Sequence, residues 1–281
     1  MTEQNGGPSL RFHIFTGQEF ALSNNAVLIT GRQDAVLIDT CLILSDAARL
    51  VEMIRRSAKT LQAVYITHAH PDHYFGNGVV AQAFPSARVF ARQGVIDFMQ
   101  EYRAKLVHWR EMFGDEMPPT LPMPDPLVGG HTSLEGQEIR FVDLPVSETV
   151  HATAFYIPSE RAIVTGDLVY SGRHHYVADT NHPESWIEAL QLVRRLGPIE
   201  HVFPGHGPSG GIELLDASEA WLRDYIDVAK PGVRFVEIAK EMTRRYPNHG
   251  LAILLWLTRG PGFGLAGAKE IGVPPQLLGG S

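Results

Sequence analysis

The 281-residue sequence is poor in cysteine, in positive charge and in long apolar runs. Its single cysteine, Cys41, excludes a disulfide within the chain and is typical of a reducing compartment. The longest apolar run, "LAILLWL" at 251–257, is too short to span a bilayer, and "MTEQNGGPSLRF" has neither the basic nor the apolar region of a signal peptide. These absences predict a cytoplasmic protein with no membrane partner.

The charge balance excludes a second class of partner. The chain has 24 basic and 31 acidic residues, a formal net charge of −7, and no run of Lys or Arg. Such a surface argues against a nucleic-acid groove, because phosphate binding requires clustered positive charge. A hydrophobic content of 44% is ample for a large core. We therefore expect one domain over residues 1–281, with a core at about 20–210 and a helical extension at about 211–281.

Short strand patterns alternate with amphipathic helix patterns along the chain. Strands are predicted within 24–40 (two), and at 61–67, 86–91, 138–144, 152–157, 162–166 and around 200–205. Helices are predicted at 45–57 with Ser45 as N-cap, 93–114, 183–195, 212–229, 234–245 and 249–258. This order predicts an α/β protein whose sheets are covered by helices on the outside.

The segment "ITHAHPDHYFGN", residues 66–77, concentrates side chains that bind metals. His68, His70, Asp72 and His73 occupy four of six consecutive positions, directly after the predicted strand at 61–67. A scattered histidine is usually a solvated loop residue. Four donors in so short a stretch instead indicate a metal site.

Three further donors stand beside other predicted strands. His151 lies between two strands, Asp167 directly follows one, and His206 follows the next within a Gly-flanked turn. Each is expected in a loop on a rigid scaffold, where functional groups are commonly placed. The set of five imidazoles and two carboxylates is too large for one tetrahedral ion with an open position. It suits two ions, roughly 3.5–4 Å apart, that share a carboxylate and a hydroxide. Two Zn²⁺ are expected, with Mn²⁺ or Fe²⁺ as alternatives.

"HAHPDH" matches the HxHxDH signature of the metallo-β-lactamase superfamily, which the sequence resembles over about residues 20–210. The resemblance implies an αββα sandwich with extra C-terminal helices. It implies that one ion is held by His68, His70 and His151, and the second by Asp72, His73 and His206. Asp167 would bridge them, and Asp39 in "AVLIDT" would support the site.

The sequence departs from parts of the family pattern. Asp167 stands where the best-known zinc β-lactamases have cysteine, which resembles the glyoxalase II and lactonase branches instead. "PGHGPSG" around His206 does not resemble the matching glyoxalase II segment, and His151 lies in "TVHAT" rather than "GHT". Tyr170 is similar to a tyrosine of acyl-homoserine lactonases that hydrogen-bonds the substrate carbonyl. Packing beside the strand end is the equally weighted alternative.

The resemblance implies a hydrolase in which a metal-bridging hydroxide cleaves an ester, lactone, thioester or amide of a small-molecule substrate. Asp72 is expected to orient the hydroxide and accept its proton. Two alternatives stay open, a mononuclear-iron sulfur dioxygenase of the same superfamily and a non-catalytic metabolite-binding member. A homodimer is also left open.

Two segments are candidates for shaping the substrate pocket. Tyr102, Trp109 and Phe113 lie in the helix pattern of 93–114, within a 93–126 segment, and either line a pocket or pack on the sheet. Packing is favoured for them. His174, His175 and Tyr176 follow Asp167 in "SGRHHYVADTNHP" and either contact substrate or are ordinary polar loop residues. The second interpretation is favoured.

Overall fold

The computed structural model describes residues 9–103, 106–179 and 183–256, with backbone alone for 101–103 and 106–108. The strands are β1 (Arg11–Thr16), β2 (Asn25–Thr30), β3 (Asp34–Ile38), β4 (Thr60–Tyr65), β5 (Arg88–Ala91), β6 (Asp125–Pro126), β7 (His131–Leu134), β8 (Gln137–Asp143), β9 (Thr153–Ile157), β10 (Ala162–Tyr170) and β11 (His201–His206). The helices are α1 (Leu44–Arg56), α2 (Pro71–Tyr74), α3 (Asn77–Ala83), α4 (Gln93–Arg103), α5 (Leu106–Phe113), α6 (Pro183–Arg194), α7 (Glu213–Val228) and α8 (Phe235–Arg245). Within the described ranges, no helix is long and apolar enough to cross a membrane.

The strands form two sheets. The first has the order β1-β2-β3-β4-β5-β6, antiparallel from β1 to β3 and parallel from β3 to β6. The second has the order β11-β10-β9-β8-β7, with β10 and β11 parallel and the others antiparallel. Each sheet therefore contains parallel strands whose carboxyl ends meet at one edge.

Period-2 alternation along the strands produces three apolar layers. In β2, Val27 and Ile29 belong to the core between the sheets, whereas Leu28 belongs to the core that α1 covers. In β10, Val164 belongs to the core between the sheets and Ile163 to the core covered by α6, α7 and α8. The layers are helix, sheet, sheet, helix, which confirms the predicted αββα sandwich.

The C-terminal helices are part of this packing. Trp221 of α7 and Met242 of α8 are fully buried with Trp186 of α6 in the core behind the second sheet. Leu254 and Trp256 are buried in the same core, so the described part of "LAILLWL" packs inward. The remainder of the tail, residues 257–281, lies outside the described residues.

Several element boundaries differ from prediction. Helix α1 begins at Leu44 after Ile43, with no side-chain cap, so Ser45 is inside the helix. The 93–114 pattern is helical on both sides of residues 104–105. Around 249–258 the described residues contain only a 3-10 turn, Ala252–Leu255. The prediction also missed β1 and β7, which are exposed edge strands without an apolar run.

Two predicted loop residues lie within strands. Asp167 is inside β10 and His206 ends β11. The register of β10 shifts around Gly166, whose φ of 52° is in the left-handed region that favours glycine. This bulge lets the strand continue to Tyr170 while it redirects the side chains beyond Gly166.

Candidate metal centre

The two sheets are joined at the edge where their parallel strands end. His68 and Ala152 form an isolated bridge, and the Thr153 amide donates to the Thr67 carbonyl over 2.9 Å. Asn24 and His206 form a second bridge across the sandwich. These pairings bring the carboxyl ends of β4, β10 and β11 to one place.

Six of the seven predicted ligands lie together at this edge, each at most 6% exposed. They are His68, His70, Asp72, His73, Asp167 and His206. The "HAHPDH" segment supplies four because it changes conformation midway. His68 and His70 precede a one-turn helix that begins at Pro71, a residue suited to the first helical position. Asp72 and His73 lie in that turn.

Three of the imidazoles are oriented by a partner on one nitrogen. Nδ1 of His68 lies 2.8 Å from the Thr67 hydroxyl, and Nδ1 of His206 lies 2.9 Å from the Leu22 carbonyl. Nδ1 of His73 lies 2.8 Å from Asp39 Oδ2. The Nε2 atoms face the cluster. Outer partners of this kind fix the ring orientation and tautomer of metal-binding histidines.

Asp39 organises two of these imidazoles. It follows β3 with a φ of 61° and is 2% exposed. Its carboxylate accepts hydrogen bonds from the Thr67 amide and hydroxyl, each over 2.7 Å, as well as contacting His73. Asp39 therefore occupies the supporting position that the sequence resemblance implied.

Glu148 completes the cluster. It is 1% exposed, and its Oε1 lies 2.6 Å from Nδ1 of His70. Its Oε2 lies 3.8 Å from Nε2 of His68. Sequence reasoning missed Glu148, although "SET" at 147–149 has the outline of the commoner "GHT" with Glu in place of His.

His151 does not join the cluster, contrary to expectation. Its side chain is exposed, and its ring lies 6.3 Å from that of Phe98 on α4. A Cβ added to Gly94 would come within 2.7 Å of its Nδ1, so the ring rests on α4. The backbone is fixed one residue later, where Ala152 pairs with His68, and this directs Glu148 rather than His151 inward.

Buried charges shift the pKa values of the cluster in opposite directions. Burial opposes protonation of His70, but Glu148 and Asp179 outweigh it and raise its pKa to about 10. Burial is likewise outweighed at His206, where Asp167 and Asp72 raise the pKa to about 9. Burial raises the pKa of Glu148 to about 7 despite His70.

The pKa values of Asp72 and Asp167 are lowered. Burial would raise the pKa of Asp72, but His73 and His206 lower it to about 2. His206 and His73 likewise hold the pKa of Asp167 well below its usual range against burial. A divalent ion that binds these side chains would therefore compete with the protons on His70 and His206.

The donor set fits two divalent ions. In each of two groups of residues, the potential ligand atoms lie within 4.8 Å of one another. The first group is His68, His70, Glu148 and Asp167, and the second is Asp72, His73 and His206. Nε2 of His73 lies 3.2 Å from Oδ1 of Asp167, and neither atom has a hydrogen-bond partner in the described part of the chain. Buried polar atoms are normally satisfied, so these unsatisfied atoms are what a metal site requires.

Tyr170 lies against this donor set. It is 2% exposed, and its hydroxyl donates to Asp167 Oδ2 over 2.5 Å. Its ring stacks on that of His206, with centroids 5.0 Å apart and planes 5° apart. The hydroxyl is therefore engaged by a predicted ligand.

The histidines beyond Tyr170 are buried in packing contacts. His175 stacks on Trp221 at 4.2 Å, and His174 is fully buried beside the same indole. Tyr176 is half-buried and meets the His70 ring edge-on at 5.2 Å.

The aromatic residues of the 93–114 pattern were expected to pack on the sheet. Trp109 is 5% exposed in the core beside the first sheet, which agrees with packing. The side chain of Tyr102 lies outside the described residues.

A sequence model of the metallo-beta-lactamase superfamily matches residues 20–206, more than half of the chain. The chain belongs to the metallo-beta-lactamase superfamily. Its matched region begins just before β2 and ends at His206, so it contains the whole cluster. Members of this superfamily are hydrolytic metalloenzymes that bind divalent metals, typically zinc.

Individual relatives are distant. A hydroxyacylglutathione hydrolase of Actinobacillus pleuropneumoniae serotype 3 (strain JL03) is 23% identical over 187 residues, 66% of this chain and 67% of the relative. A metallo-beta-lactamase type 2 of Bacteroides fragilis is 22% identical over 218 residues, 74% and 79% of the two chains.

Solved structures support the same fold. A metallo-beta-lactamase family protein from Thermus thermophilus superposes with a TM-score of 0.64 at 17% identity, covering 88% of this chain and 91% of that one. A metallo-beta-lactamase from Pontibacter korlensis gives 0.61 at 19% identity, covering 79% and 98%. At these identities the likeness concerns the fold.

Proposed function

We propose that this superfamily member is a dinuclear metal hydrolase that cleaves an ester, lactone, thioester or amide. The observation that carries the proposal is the buried cluster of four imidazoles and three carboxylates, in which Glu148 replaces His151. Two Zn²⁺ suit these donors, and Mn²⁺ or Fe²⁺ are alternatives because carboxylates and imidazoles also bind them.

The proposed assignment divides the donors into two sets. One ion would be held by His68, His70 and Glu148, and the other by Asp72, His73 and His206. Asp167 would be the shared carboxylate. Its Oδ2 lies 3.8 Å from Nε2 of His68 and 3.3 Å from Nε2 of His206, so it faces donors of both sets. Its Oδ1 lies on the side of His73.

Two divalent ions held by these donors would lower the pKa of a water molecule to about 7 and polarise a carbonyl oxygen. The residues of the chain then have separate tasks. Asp72 would orient the attacking water by accepting a hydrogen bond from it, a role suited to a carboxylate that stays ionised, as its pKa of about 2 implies. Asp39 holds His73 and the Thr67–His68 segment. Tyr170 orients Asp167 through its hydroxyl, which is a different role from donating to a substrate carbonyl.

The relatives' names guide the choice of substrates for the test. One relative is named for hydrolysis of hydroxyacylglutathione and another as a β-lactamase. Metal-loaded protein should be assayed against lactones, acyl thioesters, carboxylic esters, β-lactams and phosphodiesters. We expect the wild-type protein to hydrolyse at least one carbonyl substrate. This activity should disappear in Asp72→Ala and persist in His151→Ala. No hydrolysis of any carbonyl substrate by protein that holds two ions would reject the proposal.

One observation favours a second candidate, an iron-dependent sulfur dioxygenase. His68, His70 and Glu148 form a two-histidine, one-carboxylate set, which is the donor set of non-haem Fe(II) oxygenases. Elemental analysis and an oxygen electrode separate the candidates. One iron per chain together with oxygen consumption would favour the dioxygenase, whereas two ions per chain and hydrolysis without oxygen favour the hydrolase.

A further inference from the structure

His70 lies between two buried carboxylates. Its Nδ1 is 2.6 Å from Glu148 Oε1, and its Nε2 is 3.0 Å from Asp179 Oδ2. Asp179 is 4% exposed. The imidazole therefore has one acceptor on each of its nitrogens, and the two acceptors lie on opposite sides of the ring.

The two carboxylates have different surroundings. Glu148 shares its group of potential metal ligands with His68 and Asp167, all within 4.8 Å. Asp179 belongs to none of the metal-ligand groups found among the described residues. Nδ1 of His70 thus faces the ion site, and Nε2 faces away from it toward Asp179.

We propose that Asp179 is a positioning residue, which fixes the His70 ring for the first ion by accepting the Nε2 proton. The proposal rests on the proposed metal site. An imidazole can bind a cation through Nδ1 only when the remaining proton is on Nε2, and a carboxylate acceptor there selects this tautomer and fixes the ring plane.

The segment that carries Asp179 is well placed for this role. Residues 171–179 connect β10 to the region before α6 and include Val177, which is 2% exposed in the core behind the second sheet. Tyr176 meets the His70 ring edge-on at 5.2 Å and an interplanar angle of 90°. His70 is therefore held by a packed ring as well as by the Asp179 carboxylate.

Asp179 is the counterpart of Asp39, which contacts His73 at 2.8 Å. Each set of donors then has an imidazole backed by a buried aspartate, Asp179 for His70 and Asp39 for His73. Asp39 follows β3 of the first sheet, whereas Asp179 follows β10 of the second. The two sheets would each contribute one outer carboxylate.

The test compares Asp179→Ala and Asp179→Asn with wild type. Zn²⁺ affinity is measured by chelator competition, and ion content by elemental analysis. Loss of an outer-shell partner typically weakens metal binding about 10–100-fold, and we expect this loss for one of the two ions in Asp179→Ala. Asp179→Asn keeps an oxygen acceptor, so its affinity should lie between those of wild type and Asp179→Ala.

A second readout follows the proton itself. In Zn²⁺-loaded protein, proton–nitrogen NMR should show a hydrogen-bonded His70 Nε2–H that is retained in Asp179→Asn and lost in Asp179→Ala. If Asp179 acted through packing alone, Zn²⁺ affinity and this resonance would not depend on whether residue 179 carries a hydrogen-bond acceptor. Asp216→Ala, which removes an exposed aspartate paired with Arg194 on the surface, is the matched control and should leave both unchanged.

Two outcomes would overturn the role of Asp179. Wild-type affinity for both ions in Asp179→Ala would do so while leaving the proposed function intact. An Asp179→Asn protein as impaired as Asp179→Ala, with the Nε2–H resonance unchanged, would also do so. Wild-type protein that binds no divalent ion would instead overturn the proposed function together with this inference. If Asp179→Ala does not fold, the Asp179→Asn affinity and resonance decide.

Discussion

Oε1 of Glu148 lies 2.6 Å from Nδ1 of His70, so Glu148 lies beside His68 and His70, where the family resemblance implied His151. This contact changes the proposed donor set from five imidazoles and two carboxylates to four imidazoles and three carboxylates. Each ion would then have two imidazoles, one carboxylate of its own and a share of Asp167. The negatively charged carboxylate of Glu148 favours harder ions such as Mn²⁺ or Fe²⁺ more than the imidazole of His151 would.

Replacing Tyr170 by Phe tests whether its hydroxyl positions Asp167. The substitution removes the hydrogen bond to Asp167 Oδ2 and keeps the ring stacked on His206. We expect ion affinity to fall about tenfold or more, with activity restored by excess metal, because an outer partner is lost. Tyr246→Phe is the control, because it removes a similar hydrogen bond from the hydroxyl of Tyr246, directly after α8, to Asp224 of α7. Unchanged affinity with a reduced kcat at saturating metal would instead indicate a carbonyl donor.

The stability of metal-free protein should fall as the pH rises from about 7 to 10. The pKa values of His70 (about 10) and His206 (about 9) are raised above the ordinary 6.5. A raised folded-state pKa contributes stability that is complete below pH 6.5 and is lost as the pH passes through 9 and 10. Metal-bound imidazoles carry no such proton, so the decline should disappear when the sites are filled. The free energy of unfolding in urea, measured across this pH range with chelator or with Zn²⁺, checks this. If stability changed with pH in the same way under both conditions, the prediction would be contradicted.

A methyl group on Gly205 should displace the shared carboxylate. Gly205 precedes His206 in β11, and an added Cβ would overlap Oδ1 of Asp167. Gly205→Ala is expected to lose ion binding and to destabilise the protein by about 1–3 kcal/mol, as overpacking of a dense site does. Gly130→Ala is the control, since a Cβ there has nothing within 4 Å. Two ions bound with wild-type affinity in Gly205→Ala would show that the site tolerates the displacement.

Much of the fold and most of the cluster could be predicted from sequence because both follow local patterns. Apolar alternation located the central strands, and functional residues at the ends of parallel strands meet at one sheet edge. His68, Asp167 and His206 come together for this reason. The HxHxDH spacing located the four donors of the "HAHPDH" segment in one extended stretch and one helical turn.

The remaining features depend on contacts between distant parts of the chain. The only local signal for Glu148 is the outline of "SET" at 147–149, and its place beside His70 becomes visible only when Ala152 pairs with His68 on the other sheet. His175 lies in a polar stretch but is 1% exposed, because Trp221 of α7 covers it. Neither pairing is encoded in the residues nearby.

The most direct test of the proposed donor set is the number of divalent ions bound per chain in Glu148→Ala and His151→Ala. Both proteins would be purified without metal, dialysed against Zn²⁺ and analysed for metal content, with folding checked by circular dichroism. We expect two ions in wild type and in His151→Ala, and one in Glu148→Ala, because His68 and His70 lose their third donor. Two ions in Glu148→Ala and one in His151→Ala would contradict the role proposed for Glu148.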